Sequence, residues 1–70
     1  MVEQYLKQLG ARIREIRKSK KLSQERLAEL ISKSRNYVGM IERAESNVSI
    51  KTYVEIAIAL NVHPKNLFEF

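Results

Sequence analysis

The sequence predicts an all-α domain of five short helices, and three observations support this class. Apolar residues recur at spacings of three and four, the period of an amphipathic helix. Residues that cap helices stand directly before four of these stretches: Ser23, Ser34, Ser49 and His63. The composition, 44% hydrophobic and 30% charged, is that of a folded domain, here with one small core over residues 1–70.

The first helix is predicted from about Val2 to Lys20. Its inward stripe is Leu6, Leu9, Ile13 and Ile16. Gly10 interrupts this pattern and weakens the helix by about 1 kcal/mol relative to alanine. It therefore indicates either close packing against another helix or fraying near the helix start.

The second and third helices are joined by a turn of only a few polar residues, 32–34. Ser23 caps the second helix and Ser34 caps the third. The predicted inward residues are Leu27, Leu30 and Ile31 in the second helix and Val38 and Ile41 in the third. Because the turn is so short, the helices must cross steeply, and the sequence predicts a helix-turn-helix at about residues 23–42.

The fourth helix follows a loop at residues 44–47 and is capped by Ser49. It is apolar on most sides, as expected of a helix buried at the centre of a bundle. Its apolar residues are Tyr53, Val54, Ile56, Ala57, Ile58 and Leu60. Asn61 ends it, and His63 with Pro64 begins a last short helix. We expect the apolar cluster Leu67, Phe68 and Phe70 partly to close the core and otherwise to form a dimer interface, within about residues 62–70.

The net charge of +5 is concentrated in one stretch, from Arg12 to Arg26, which holds seven basic residues against two glutamates. Such a patch attracts polyanions. A solvated helix face is the alternative, and a membrane surface is less favoured because the helix offers no Trp or Phe.

Several classes of function are disfavoured. No apolar run approaches the roughly 18 residues of a membrane span, and MVEQYLKQLG lacks a signal-peptide core, so we expect a cytoplasmic protein. The chain has no cysteine, one histidine and no glycine-rich phosphate loop, and its eight acidic residues are scattered glutamates. We therefore expect no enzyme, cofactor, metal, membrane or small-molecule ligand.

The third helix opens with Arg35, Asn36 and Tyr37. Arginine suits the major-groove edge of guanine, and asparagine suits that of adenine. A helix carrying them after a tight turn can read the DNA major groove. Sequence-specific DNA binding is therefore the leading hypothesis.

Three segments, RIREIRKSKKLSQERLAEL, RNYVGMIER and ALNVHPKNLF, resemble the phage-repressor and Cro-like helix-turn-helix regulators, the XRE family, in order and spacing. The resemblance covers roughly Leu9 to Phe68 and implies the compact five-helix, lambda-repressor-like fold. Within that family, SRNYVGMIERAESNVSIKT is most similar to restriction-modification controller proteins. The resemblance implies a homodimer that binds double-stranded DNA at a two-fold-symmetric operator and regulates transcription.

The resemblance also implies a set of site residues. The base-contacting positions are Arg35, Asn36, Gly39 and Met40. The positions that contact the DNA backbone are Gln24, Ser34, Tyr37, Arg43, Ser46 and Asn47. Alternatives remain: Arg35 and Asn36 as phosphate contacts, Tyr37 as a packing residue, Met40 as a gap filler, Gln24 and Arg43 as exposed residues, and Ser46 and Asn47 as a solvated turn.

Arg17 and Glu42 correspond to an ion pair that locks the first helix to the third in many relatives, and we expect it to be partly buried. The chain departs from the family at Ser32, where relatives usually have glycine, and at Gly39-Met40, where controllers commonly have Ser-Gly. The main competing function is a protein-interaction module of the same fold, including an antitoxin that holds a toxin.

Overall fold

The computed structural model describes all residues, Met1–Phe70, and is entirely helical. It contains α1 (Val2–Ser19), α2 (Gln24–Leu30), α3 (Arg35–Glu42), α4 (Ile50–Leu60) and a C-terminal 3₁₀-helix (Pro64–Phe68). The all-α class is confirmed, but the fifth element is a 3₁₀-helix and not a fifth α-helix. A capping box closes this short turn: His63 Nδ1 accepts from the backbone N–H of Lys65, and Asn66 Oδ1 accepts from that of His63. No helix is long and apolar enough to cross a membrane.

Twelve apolar residues from all five elements form one core. They are Leu9, Ile13, Ile16, Leu27, Ala28, Ile31, Val38, Ile41, Ile56, Ala57, Leu60 and Leu67. The predicted inward position of Leu6 is wrong, since this side chain is 38% exposed. Residues 1–8 are all exposed because the first two turns of α1 extend beyond the helices that cover the rest of it.

The prediction that α4 is buried on most sides is also wrong. Ile50, Val54 and Ile58 are spaced four residues apart and form an exposed row along α4, 71%, 36% and 70% exposed respectively. Leu30, predicted to face inward from α2, is 44% exposed. It borders an apolar groove together with Ile58 and Ala59. The outer side of α4 is therefore an apolar surface of the monomer.

Gly10 marks the closest approach of α1 to the end of α3. A Cβ atom at this position would lie 2.6 Å from the backbone oxygen of Glu42 and 2.7 Å from that of Ile41. Neither backbone oxygen can move without displacing α3, so only glycine fits here. Of the two sequence interpretations, close packing is the correct one.

Each α-helix is followed, within two residues of its end, by a non-glycine residue with a left-handed backbone conformation. These residues are Lys21, Ser32, Ala44 and Asn61, with φ between 58° and 59°. After α2, the Ser32 N–H donates to Glu29 O (3.2 Å) and the Lys33 N–H to Ala28 O (2.9 Å), which is the Schellman pattern. Ser32 therefore carries the strain that glycine would avoid in the tight turn.

Arg12 fastens the 3₁₀-helix to α1. Its Nε donates to the backbone oxygen of Asn66 at 3.0 Å, and its guanidinium also pairs with Glu15 and, at 3.8 Å, with Glu69. Leu67 is fully buried beneath this segment. Its assignment to a dimer interface is therefore wrong, because it offers no surface to a second copy. Phe68 and Phe70 remain about half exposed, and Phe68 packs edge-on against Tyr53.

Candidate nucleic-acid interface

The helix α3 is anchored on one side and open on the other. Val38 and Ile41 are buried against α1 and α2. At its N-terminus, Ser34 Oγ accepts from the Tyr37 N–H at 3.1 Å and caps the helix. Arg35 and Asn36 lie exposed at the opening turn, so the structure presents them to solvent from a fixed helix. This is the orientation that reading base edges requires.

Met40 lies one turn after Asn36 on the same side of α3. The Asn36 Nδ2 atom approaches the Met40 sulfur at 3.8 Å, a weak contact, and Met40 is half-buried. The Asn36 amide keeps most of its hydrogen-bonding capacity, and it is free to engage a base or a phosphate.

Gly39 is not an open surface in this structure. It is buried, and a Cβ atom at this position would lie 3.0 Å from the Nη1 atom of Arg43. The Arg43 side chain thus folds back over α3, where its Nε donates to Glu45 at 3.0 Å. In this conformation the Arg43 side chain covers Gly39, and the base contact expected of Gly39 stays a prediction.

A buried polar network joins all three helices behind this surface. Arg17 Nε donates to Glu42 Oε2 at 2.7 Å, and Arg17 Nη2 donates to Glu42 Oε1 at 3.2 Å. The pair is more deeply buried than expected, with side chains 8% and 3% exposed. A third donor of Arg17 bonds to the Leu22 backbone oxygen at 2.7 Å. The network connects α1, the start of α2 and the end of α3, and leaves no buried side-chain polar atom unsatisfied.

Gln24 belongs to the same network. Its Nε2 donates to Glu42 Oε1 at 3.1 Å. An ionised carboxylate only accepts hydrogen bonds, so the amide nitrogen must face Glu42, and this fixes the orientation of the amide. One N–H of the half-buried side chain remains free for a ligand. The structure thus gives Gln24 a structural partner, and its contact with the DNA backbone stays a prediction.

Tyr37, Ser46 and Asn47 lie at the margins of the surface. Tyr37 is half-buried against the core, and the Lys33 ammonium lies 5.7 Å from its ring centroid, so packing accounts for part of its role. Ser46 and Asn47 lie in the loop after α3, and the one side-chain hydrogen bond that involves them is a long one of 3.4 Å from Ser46 Oγ to Asn47 O.

Arg14 is the residue that the sequence reasoning missed. It is exposed on α1, and with Gln24 and Arg35 it lines an open cleft of about 580 Å³ that has no apolar residue in its walls. The available signal was the absence of any glutamate three or four residues away, which leaves Arg14 without a local partner.

Two capped helices joined by a tight turn, with exposed polar side chains at the start of the second, define a helix-turn-helix DNA-binding domain. The chain matches the family model described as helix-turn-helix over residues 13–67, and it belongs to this family, the XRE-type regulators.

The chain is 44% identical to the control protein C.BamHI of Bacillus amyloliquefaciens over 62 residues, 87% of this chain and 76% of that protein. It is 43% identical to the control protein C.SmaI of Serratia marcescens over 76% of this chain and 63% of that protein. The fold is similar to that of the restriction-modification controller protein C.AhdI from Aeromonas hydrophila. The TM-score is 0.90, the identity is 44%, and the match covers 94% of this chain and 96% of that one. The protein is thus a DNA-binding regulator that is similar to these control proteins.

Proposed function

We propose that this regulator reads a palindromic operator as a homodimer and controls transcription of a restriction-modification system. The observation that carries the proposal is the exposure of Arg35 and Asn36 at the opening turn of a helix whose other side is buried in the core. Arg35 has no partner within the protein, so its planar fork is free for guanine O6 and N7. Similarity to control proteins supports the regulatory setting.

Two arguments support the homodimer: the small area of DNA that one recognition helix contacts, and the two-fold symmetry of a palindromic operator. One recognition helix contacts too little DNA for high affinity, and two copies related by a two-fold axis read two half-sites. We assign the dimer interface to the exposed row on α4, Ile50, Val54 and Ile58, with Phe68 and Phe70 from the C-terminal segment. All five are large apolar side chains that the monomer leaves 36–71% exposed. Covering them removes apolar area from water, which favours association.

Selection of bound sequences from random DNA tests the proposal. We expect enrichment of a two-fold-symmetric motif whose half-sites are about 10 base pairs apart, or a multiple of that. Sedimentation should show a dimer that Ile58→Glu weakens, whereas Lys51→Glu, a charge change at an exposed position of the same helix, should leave it intact. A monomer bound to a single asymmetric site would contradict the dimeric part of the proposal.

The protein-interaction module remains the competing function, and one observation favours it. The groove bordered by Leu30, Ile58 and Ala59 is apolar and open to solvent. Binding at rising salt separates the two functions. A regulator keeps a strong preference for its operator over random DNA, whereas a basic protein-binding domain shows only weak, salt-sensitive attachment.

We assign no catalytic step to the chain, because the similar proteins are regulators and the site is a binding surface. The proposal places the protein in the cytoplasm, together with the DNA that it controls.

A further inference from the structure

The arginines of this protein divide into two groups. Four of the six have a carboxylate partner: Arg12 with Glu15, Arg17 with Glu42, Arg26 with Glu29, and Arg43 with Glu45. The side chains of the other two, Arg14 and Arg35, make no hydrogen bond or ion pair within the protein, and both residues are exposed. An arginine fork without a partner is available to a planar anion such as a phosphate.

These two arginines lie on different helices and share one cleft. Arg14 comes from α1 and Arg35 from the start of α3, and Gln24 from the start of α2 lies in the same wall. The remaining lining residues are Arg17, Ser23 and Glu25. Since Glu42 neutralises Arg17, the two free arginines outweigh the single carboxylate of Glu25, and the cleft keeps a positive charge.

A second cleft is smaller, about 310 Å³. Arg14 and Gln24 line it as well, now together with Glu42 and Arg43. Arg14 therefore lines both clefts that the Gln24 side chain lines. An anion that enters either cleft meets both the Arg14 side chain and the Gln24 amide.

We propose that Arg14 contacts a DNA phosphate at this cleft, which makes α1 a third element of the DNA interface beside α2 and α3. The inference rests on the proposed DNA binding and adds a division of labour to it. Arg35, on the recognition helix, reads base edges. Arg14 lies on α1, outside the recognition helix. It contacts a phosphate of the DNA backbone next to the bases that Arg35 reads, and so it positions the protein without reading sequence.

Arg14 is well suited to substitution, because it is exposed and has no partner whose loss would disturb the fold. Lys7 provides the matched control. It lies seven residues earlier, on the same side of α1, but in the two turns that extend past the helix bundle and away from the cleft. Arg14→Ala and Lys7→Ala each remove one positive charge from the same side of α1, but only Arg14→Ala removes a residue that lines the cleft.

The test measures binding of wild-type, Arg14→Ala, Arg14→Lys and Lys7→Ala protein to random and selected DNA duplexes over a range of salt concentrations. We expect Arg14→Ala to weaken binding to both duplexes roughly tenfold. The slope of log K against log salt should become shallower by about 0.9, the loss of one phosphate contact. Arg14→Lys should keep the slope and lose only part of the affinity, because it retains the charge without the fork. Lys7→Ala should keep the wild-type slope.

Replacing single phosphates by neutral methylphosphonates locates the contact. One position should weaken the wild-type protein and have no further effect on Arg14→Ala, as in a double-mutant cycle. Additive losses at every position, or an unchanged salt slope for Arg14→Ala, would overturn the inference while leaving the selected operator, and so the proposed function, intact. A wild-type protein that enriches no sequence would instead overturn the proposed function.

Discussion

The buried Arg17–Glu42 pair gives the sharpest prediction about stability. Glu42→Ala leaves the Arg17 guanidinium, whose side chain is 8% exposed, with the Leu22 backbone oxygen as its only protein partner. Removing one partner of a buried pair costs about 3–5 kcal/mol. A domain of 70 residues has a total free energy of unfolding of roughly 4–10 kcal/mol at about 0.05–0.15 kcal/mol per residue. The variant should therefore lose between about a third and all of its stability.

Urea unfolding followed by circular dichroism measures this loss. Glu45→Ala is the matched control, because it removes a glutamate from an exposed arginine pair, with side chains 55% and 54% exposed. We expect this control to cost less than about 1 kcal/mol. The double variant Arg17→Met with Glu42→Leu should recover most of the loss, since no charge then remains buried. Equal unfolding midpoints for Glu42→Ala and Glu45→Ala would show that the buried pair stabilises the fold no more than the exposed pair does.

Two further predictions concern the turn and the pH dependence of stability. Ser32→Gly should raise the free energy of unfolding by about 1 kcal/mol, because glycine adopts the left-handed conformation (φ 58°) without strain, while Ser32→Ala should bring no such gain. A lower urea midpoint for Ser32→Gly than for Ser32→Ala would contradict this. Burial, and then the nearby Tyr37, raise the pKa of Tyr53, so folding favours the neutral phenol. That contribution is complete below the ordinary tyrosine pKa of about 10 and is lost as the pH rises through the raised pKa, so Tyr53→Phe should show a shallower alkaline decline of stability. Identical alkaline profiles for the two proteins would argue against this origin.

Local signals in the sequence were sufficient for the helices and their ends. Ser23, Ser34 and Ser49 each accept from the N–H three residues later, as their positions predicted. The spacing of apolar residues by three and four also identified most of the core. It failed at Leu6, Leu30 and Ile58, because the spacing of an apolar face does not show whether another helix of the chain covers it.

The site was only partly predictable. Residue types and the position after a short turn indicated Arg35 and Asn36, and both are exposed in the structure. The role of Gly39 depends on where the Arg43 side chain folds, and the burial of Leu67 depends on how the 3₁₀-helix docks on α1. Such features arise from contacts between elements and leave no local spacing to detect.

Sequence-specific binding by α3 requires that Arg35 contacts bases and not only phosphates. The decisive measurement is the affinity of wild-type, Arg35→Ala and Arg43→Ala protein for the selected operator and for random DNA at the same salt concentration. We predict that Arg35→Ala loses roughly 1–3 kcal/mol of discrimination at one position of each half-site, while Arg43→Ala weakens both duplexes about equally. Equal losses on operator and random DNA for both variants would contradict the claim.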